Sequence, residues 1–253
     1  MNIFQLIRER IAAVIGVVFF SIVICICGAA FTFYFAPQQA LEANRISNLP
    51  QMDAGYVVSA NPGTEILITG VLANNPALLA DSNLVAYELE RWDVTPPNND
   101  NDTTPDGSWE SVETVIPNLT LEANGQNLTI LAANTASLSG ALHEEIVRGD
   151  GFETASYNGE NLPEGSLRYQ GFFNGDLTTV LGQKASTEGI VPAKLYAGDR
   201  VAFEQSEKDA AKWMLVAGIA MMICSPLFLV LGGVGAIFGR NTRGGGGFKM
   251  RMR

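Results

Sequence analysis

The chain has 253 residues, 47% of them hydrophobic, and a formal net charge of −10. That acidity argues against nucleic acid as a partner, because a nucleic-acid surface needs clustered Lys and Arg to displace counterions. Of the three cysteines, Cys25 and Cys27 fall in one apolar run and Cys224 in another, which leaves none in the middle of the chain for a disulfide framework, a zinc knuckle or a catalytic thiol.

Residues 1–10 read as a short tail carrying Arg8, Glu9 and Arg10, and residues 11–35 follow as a run without a charged side chain. At about 1.5 Å per residue that run exceeds the roughly 30 Å of a bilayer's hydrocarbon core, so it predicts a membrane-spanning helix. A cleaved leader is the competing reading. The apolar stretch is longer than the roughly 7 to 15 residues of a leader's core, and bulky Phe31, Phe33, Tyr34 and Phe35 follow its small residues, which favours a retained anchor. Residues 39–48 extend the helix outward.

Between residues 53 and 200, helical periodicity is weak, and short runs rich in Val, Ile, Leu, Thr and Tyr recur between Gly, Asn and Pro. They predict strands at 56–60, 65–71, 85–94, 109–117, 128–132, 167–173, 177–181 and 200–204, hence a mainly β, mostly antiparallel domain over residues 36–212. The polar stretch 95–107 reads as a solvated loop between two of these strands. Asp100, Asp102 and Asp106 suggest calcium, but the EF-hand spacing places Pro105 and Ser111 where Gly and Glu are needed. In residues 165–183, Asn174-Gly175 between two alternating runs predicts a two-residue hairpin with both central residues at positive φ, and Gly182 marks the end of its second strand.

His143 is the sole histidine and sits in LHEEIVRGD. Neither Ser137 nor Ser139 brings a nucleophile motif with it, and no second His completes a common zinc set, so the sequence predicts an exposed histidine in a loop or at a strand end. No catalytic, cofactor-binding or metal-binding residue is assigned. The enzymatic alternative is a membrane-surface hydrolase using Glu144, Glu145 or Asp150. Three Asn-x-Thr triplets, at Asn101, Asn118 and Asn127, say nothing firm about glycosylation in a chain rich in Asn and Thr.

Residues 205–212 lead into a second apolar run, 213–238, with Pro226 placed to kink it rather than forbid it. Gly235 and Gly239 form a GxxxG that would let this helix pack closely on the first or on a second copy of the chain, making a homo-oligomer a candidate partner alongside the bilayer. Residues 239–253 are a glycine-rich tail with five Lys and Arg. The first ten residues carry +1 and this tail +5, so the segment between carries about −16. Basic flanks remain on the untranslocated side, which predicts a multi-pass cell-membrane protein with both termini cytoplasmic and the acidic domain outside.

Three stretches resemble the GIDE domain, also called BAM for "beside a membrane", of the MULAN-type mitochondrial ubiquitin ligase family. They are residues 70–94, with an aromatic position at Tyr87; Trp109 with its following strand; and residues 162–182, with Pro163, Gly165, Val180, Leu181 and Gly182 at the matching positions. The resemblance implies the same two-pass topology and a recognition role at a membrane surface. It does not carry ligase activity, since residues 239–253 hold neither Cys nor His for a zinc RING. The expected function is therefore a non-catalytic β domain on an α-helical hairpin anchor, binding or scaffolding another membrane or extracytoplasmic protein.

Overall fold

The structure is a computed structural model and describes residues 3–50, 52–97 and 104–238. In chain order it has two long apolar helical regions, near the N- and C-termini, and a β-rich region of twelve strands among the described residues. The chain divides into two compact units, one running Arg45–Ser206 and the other comprising the residues before and after it.

The helical unit begins with α1 (Ile3–Ala30), passes through a π-helical turn (Phe31–Phe35) and continues into α2 (Ala36–Ser47). The long α4 (Arg200–Phe238) runs unbroken through Pro226. Both regions are long and apolar enough to cross a membrane. Small residues let α1 and α4 touch: a Cβ on Gly28 would lie 2.9 Å from the Gly218 carbonyl oxygen, and one on Gly218 would collide with Thr32. Ser225 Oγ donates to the Ser21 carbonyl at 2.6 Å within the same buried seam. Among the described contacts, the close approach is built on Gly28 and Gly218, with Gly232 near Val17 further along; Gly235 lies beyond these in α4, and Gly239 lies outside the described residues.

In the other unit, β1 (Glu65–Leu72), β4 (Leu119–Ala123), β5 (Gln126–Ile130), β11 (Leu177–Lys184) and β12 (Ile190–Ala197) form a closed ring, in the order β11-β1-β4-β5-β12 and back to β11. Alternate residues along each strand point inward, so Ile66, Ile68, Leu121, Ile130, Val180 and Leu195 fill the barrel. β6 (Ser137–Gly140) extends the ring from β12, and both β5 and β6 pair parallel to β12 within an otherwise antiparallel set of pairings.

The second sheet is antiparallel with the order β3-β2-β10-β7, from β2 (Leu84–Thr95), β3 (Asp106–Val115), β7 (His143–Val147) and β10 (Leu167–Phe173). Its Val85, Ala86 and Phe172 join the barrel core. A separate hairpin of β8 (Thr154–Tyr157) and β9 (Glu160–Pro163) covers the far end of the same sheet through Trp92, Val94, Ala155 and Leu162.

Several expectations are corrected. Residues 56–59 belong to a helix, α3 (Ala54–Ser59), with Ala60 as its extended C-cap: Asp53 caps the other end by accepting from the Tyr56 amide at 2.7 Å, and Ala54 and Val57, one turn apart, are buried. Residues 200–204 open α4, where Asp199 accepts from the Ala202 amide at 2.7 Å and Arg200 pairs with Glu204 one turn on. Asn174-Gly175 does turn the chain, but β10 and β11 lie in different sheets and do not pair among the described residues, so it is no hairpin. Gly175 has φ +95° while Asn174 does not take a positive φ. Gly182 does not end its strand; β11 continues to Lys184, with a bulge at Leu181/Gly182 where a Cβ would strike the Val191 carbonyl.

Candidate functional site

Sheet alternation places Glu88, Glu90 and Trp92 of β2, Arg168 and Gln170 of β10, and Glu144 and Ile146 of β7 on one face, with Arg168 level with Glu90 and Ile146, and Gln170 level with Glu88 and Glu144. Arg168 is the hub. Its Nε donates to Glu90 Oε2 at 2.6 Å, a guanidinium nitrogen donates to the Tyr157 hydroxyl at 2.9 Å, and the same nitrogen stands 3.7 Å from Glu144. Glu144 also accepts from Gln170 at 3.1 Å.

Aromatic rings cover this polar cluster. Trp92 and Trp109 are cross-strand partners with centroids 4.8 Å apart, Tyr157 stands edge-on to both, and the Arg168 guanidinium lies 4.6 Å from the Trp109 centroid. Stacking against rings and pairing with Glu90 fix the guanidinium plane, so Arg168 holds β2, β7, β10 and the β8–β9 hairpin together. Gly107 makes the arrangement possible, since a Cβ there would overlap the Trp92 indole.

Beside this cluster opens a cavity of about 330 Å³. One wall is Glu144, Ile146 and Arg148, alternate residues along and just beyond β7; the other is Tyr157, Asn158, Glu160 and Leu162 of the hairpin. Arg148 is tied across the gap, donating to the Asn161 carbonyl at 2.8 Å. β7 is also an edge strand: it pairs with β10 on one side and with no strand on the other among the described residues. Ile146 and Val147 are exposed on it, and Phe152, just beyond, is fully exposed.

The carboxylates proposed for a hydrolase do not share one surface. Glu144 lines the cavity, Glu145 follows it on the opposite face of β7, level with Tyr169, and Asp150 lies beyond the strand. His143 does open a strand, and its ring stacks on Phe173 at 3.9 Å with Nε2 3.0 Å from Asp176 Oδ1. Asp176 also accepts from the Phe173 amide at 2.7 Å, so the contact secures the 173–176 turn. Ser137 and Ser139 stand in β6, level with Lys194 and Tyr196 of β12. Asp106 begins β3 opposite Thr95, while Asp100, Asp102 and the Asn101 triplet lie outside the described residues.

Tyr87, the aromatic position of the family resemblance, is buried in β2 and stands edge-on to Tyr169 at 5.3 Å. Burial, followed by the nearby Glu113 carboxylate and Tyr169, raises its phenol above the ordinary 10.0. The Arg168 cluster escaped sequence reasoning because its members span residues 90 to 168. The one local sign was a Trp in each of two consecutive predicted strands.

Comparison with protein-family models, with curated proteins and with solved structures gave no match.

Proposed function

We propose that the chain is a two-pass membrane protein whose β unit, held outside the cytoplasm, binds an extended segment of another protein along the free edge of β7. The carrying observation is the coincidence of an unpaired strand edge with a cavity lined by alternate residues of that strand, Glu144, Ile146 and Arg148. An added strand gains main-chain hydrogen bonds from the edge, and alternate side chains then fall into the cavity.

The two apolar helices and the basic flanks support the anchored topology in the cell membrane, and the resemblance to the GIDE domain supports recognition in place of ligase chemistry. Charge narrows the partner. A second copy pairing antiparallel about the middle of β7 would set Glu145 against Glu145, a repulsive cross-strand pair. A foreign strand bearing Lys or Arg opposite Glu144 and Glu145 suits the edge better.

A photo-reactive residue in place of Ile146, with Val112 on the opposite edge strand β3 as control, tests this in intact membranes. Adducts from position 146 to one protein, lost on Glu144→Lys and Glu145→Lys together, support the reading. Absence of adducts at 146, or equal labelling at 112, overturns it.

A further inference from the structure

A second cavity lies in the helical unit, with a volume of about 340 Å³, which is within the range of small-ligand sites. Ala36, Pro37 and Ala40 of α2 form one wall; Ala211 and Leu215 of α4, with Lys208 and Lys212, form the other. Small side chains create the gap, and Ala36 and Ala211 are buried at its base. Gln39 Nε2 donates to Glu207 at 2.9 Å, bridging the two helices near the cavity-lining Ala40 and Lys208 in sequence.

The level of the cleft along the helices is marked by aromatic residues. Exposed Phe33, Tyr34 and Phe35 come within the turn preceding Ala36, and exposed Trp213 follows Lys212. Such rings gather where hydrocarbon meets headgroups. Lys208 and Lys212, four residues apart, share a face of α4. Both line the cavity and are exposed, an arrangement in which a Lys stem covers apolar surface and its ammonium reaches water. Lys208 also interacts within the chain, and an ammonium carries three donors.

We propose that this cleft binds the headgroup of an anionic phospholipid, with its phosphate between Lys208 and Lys212 and an acyl chain descending past Leu215. The inference rests on the reading of the two helices as membrane spans. Charge complementarity selects the occupant: an apolar cleft at headgroup depth with two cations at its mouth matches a phosphodiester attached to hydrocarbon. The strongly acidic segment between the helices gives no general attraction for anionic lipid, so any preference on this side must come from a local site.

The full chain is reconstituted into liposomes of phosphatidylcholine with phosphatidylglycerol, recovered by flotation, and its retained lipids are counted by native mass spectrometry. The expected result is a bound phosphatidylglycerol favoured over phosphatidylcholine on the order of tenfold. The preference is lost in Lys208→Ala/Lys212→Ala and kept in Lys208→Arg/Lys212→Arg. Equal retention of both lipids overturns the proposal, as does a preference that survives the double alanine variant, which would place it on the basic tail. A chain that fails to float refutes the membrane reading itself, a distinct outcome from one that floats without lipid preference.

Discussion

At the level of single residues, Gly107 is where one atom decides most. Its missing side chain is the space that the Trp92 indole fills, and Trp92 in turn roofs the Arg168 cluster beside the cavity. Gly107→Ala is expected to cost about 1–3 kcal/mol as an overpacking change and to release Trp92 toward solvent. A lower urea midpoint together with a red-shifted tryptophan emission would register both effects; an unchanged spectrum would contradict the packing described. Tyr87 gives a pH dependence. Because its phenol is raised in the folded chain, the folded state holds the proton after the unfolded chain has released it. Its contribution is fully present below the unfolded value near 10 and is lost as pH rises toward the folded value. Urea midpoints between about pH 9 and 11 should fall in the wild type. They should fall less steeply in Tyr87→Phe.

Among elements, the three Asn-Gly pairs of the β unit make the most informative comparison. Asn124-Gly125 and Asn158-Gly159 each put both residues at positive φ and close true hairpins, β4–β5 and β8–β9. Asn174-Gly175 does not, because its side chain is taken up elsewhere: Asn174 Oδ1 accepts from the Asn75 amide at 3.0 Å and its Nδ2 donates to the Asn75 carbonyl at 2.7 Å. Asn75 is buried and reaches on to the Thr120 backbone, whose amide it accepts at 2.6 Å. Asn75→Ala and Asn174→Ala should each cost about 1–3 kcal/mol by stranding buried polar groups. The double variant should cost clearly less than their sum, as a thermodynamic cycle would show. The local signal for a turn was therefore legible, but its use was not, since the same dipeptide serves a hairpin or a crossing between sheets according to partners about a hundred residues away. The long alternating strands β1, β2 and β10 were legible for the opposite reason: their patterns are long and self-contained. β12 was hidden by Pro192, a residue that discourages a strand reading and that sits here opposite the bulge at Gly182. Short β6, β7, β8 and β9 offered four or five residues each, too few for a period to declare itself.

For the whole molecule, the charge distribution makes the topology testable without reference to function. Phe152 is fully exposed beside the β7 edge, and the native cysteines lie in the apolar helices. A Phe152→Cys variant should react with a membrane-impermeant maleimide on intact cells, whereas Gly246→Cys in the basic tail should react only after permeabilisation. Protection at 152 with labelling at 246 would invert the topology. Of the candidate sites, the β7 edge and its cavity were beyond the sequence, because an edge is defined by which strands do not come to it. The helix contact is half legible: small residues are a packing signal in the sequence, but that Gly28 meets Gly218 among the described residues is selected by the fold.

The closed ring also sets a clock. Thr69 in β1 finds its hydroxyl partner in Thr179, 110 residues later, and β12 must follow before the ring can shut. At about 5–20 residues per second of synthesis, the β1 edge that β11 will take waits unpaired for roughly 6–22 s, while β4 reaches the other edge sooner. The last ring strand ends at Ala197 and α4 begins at Arg200, so barrel closure and the emergence of the second apolar helix fall almost together in time. During synthesis, the open barrel strands and an unpacked apolar helix are therefore exposed as aggregation hazards in the same brief interval.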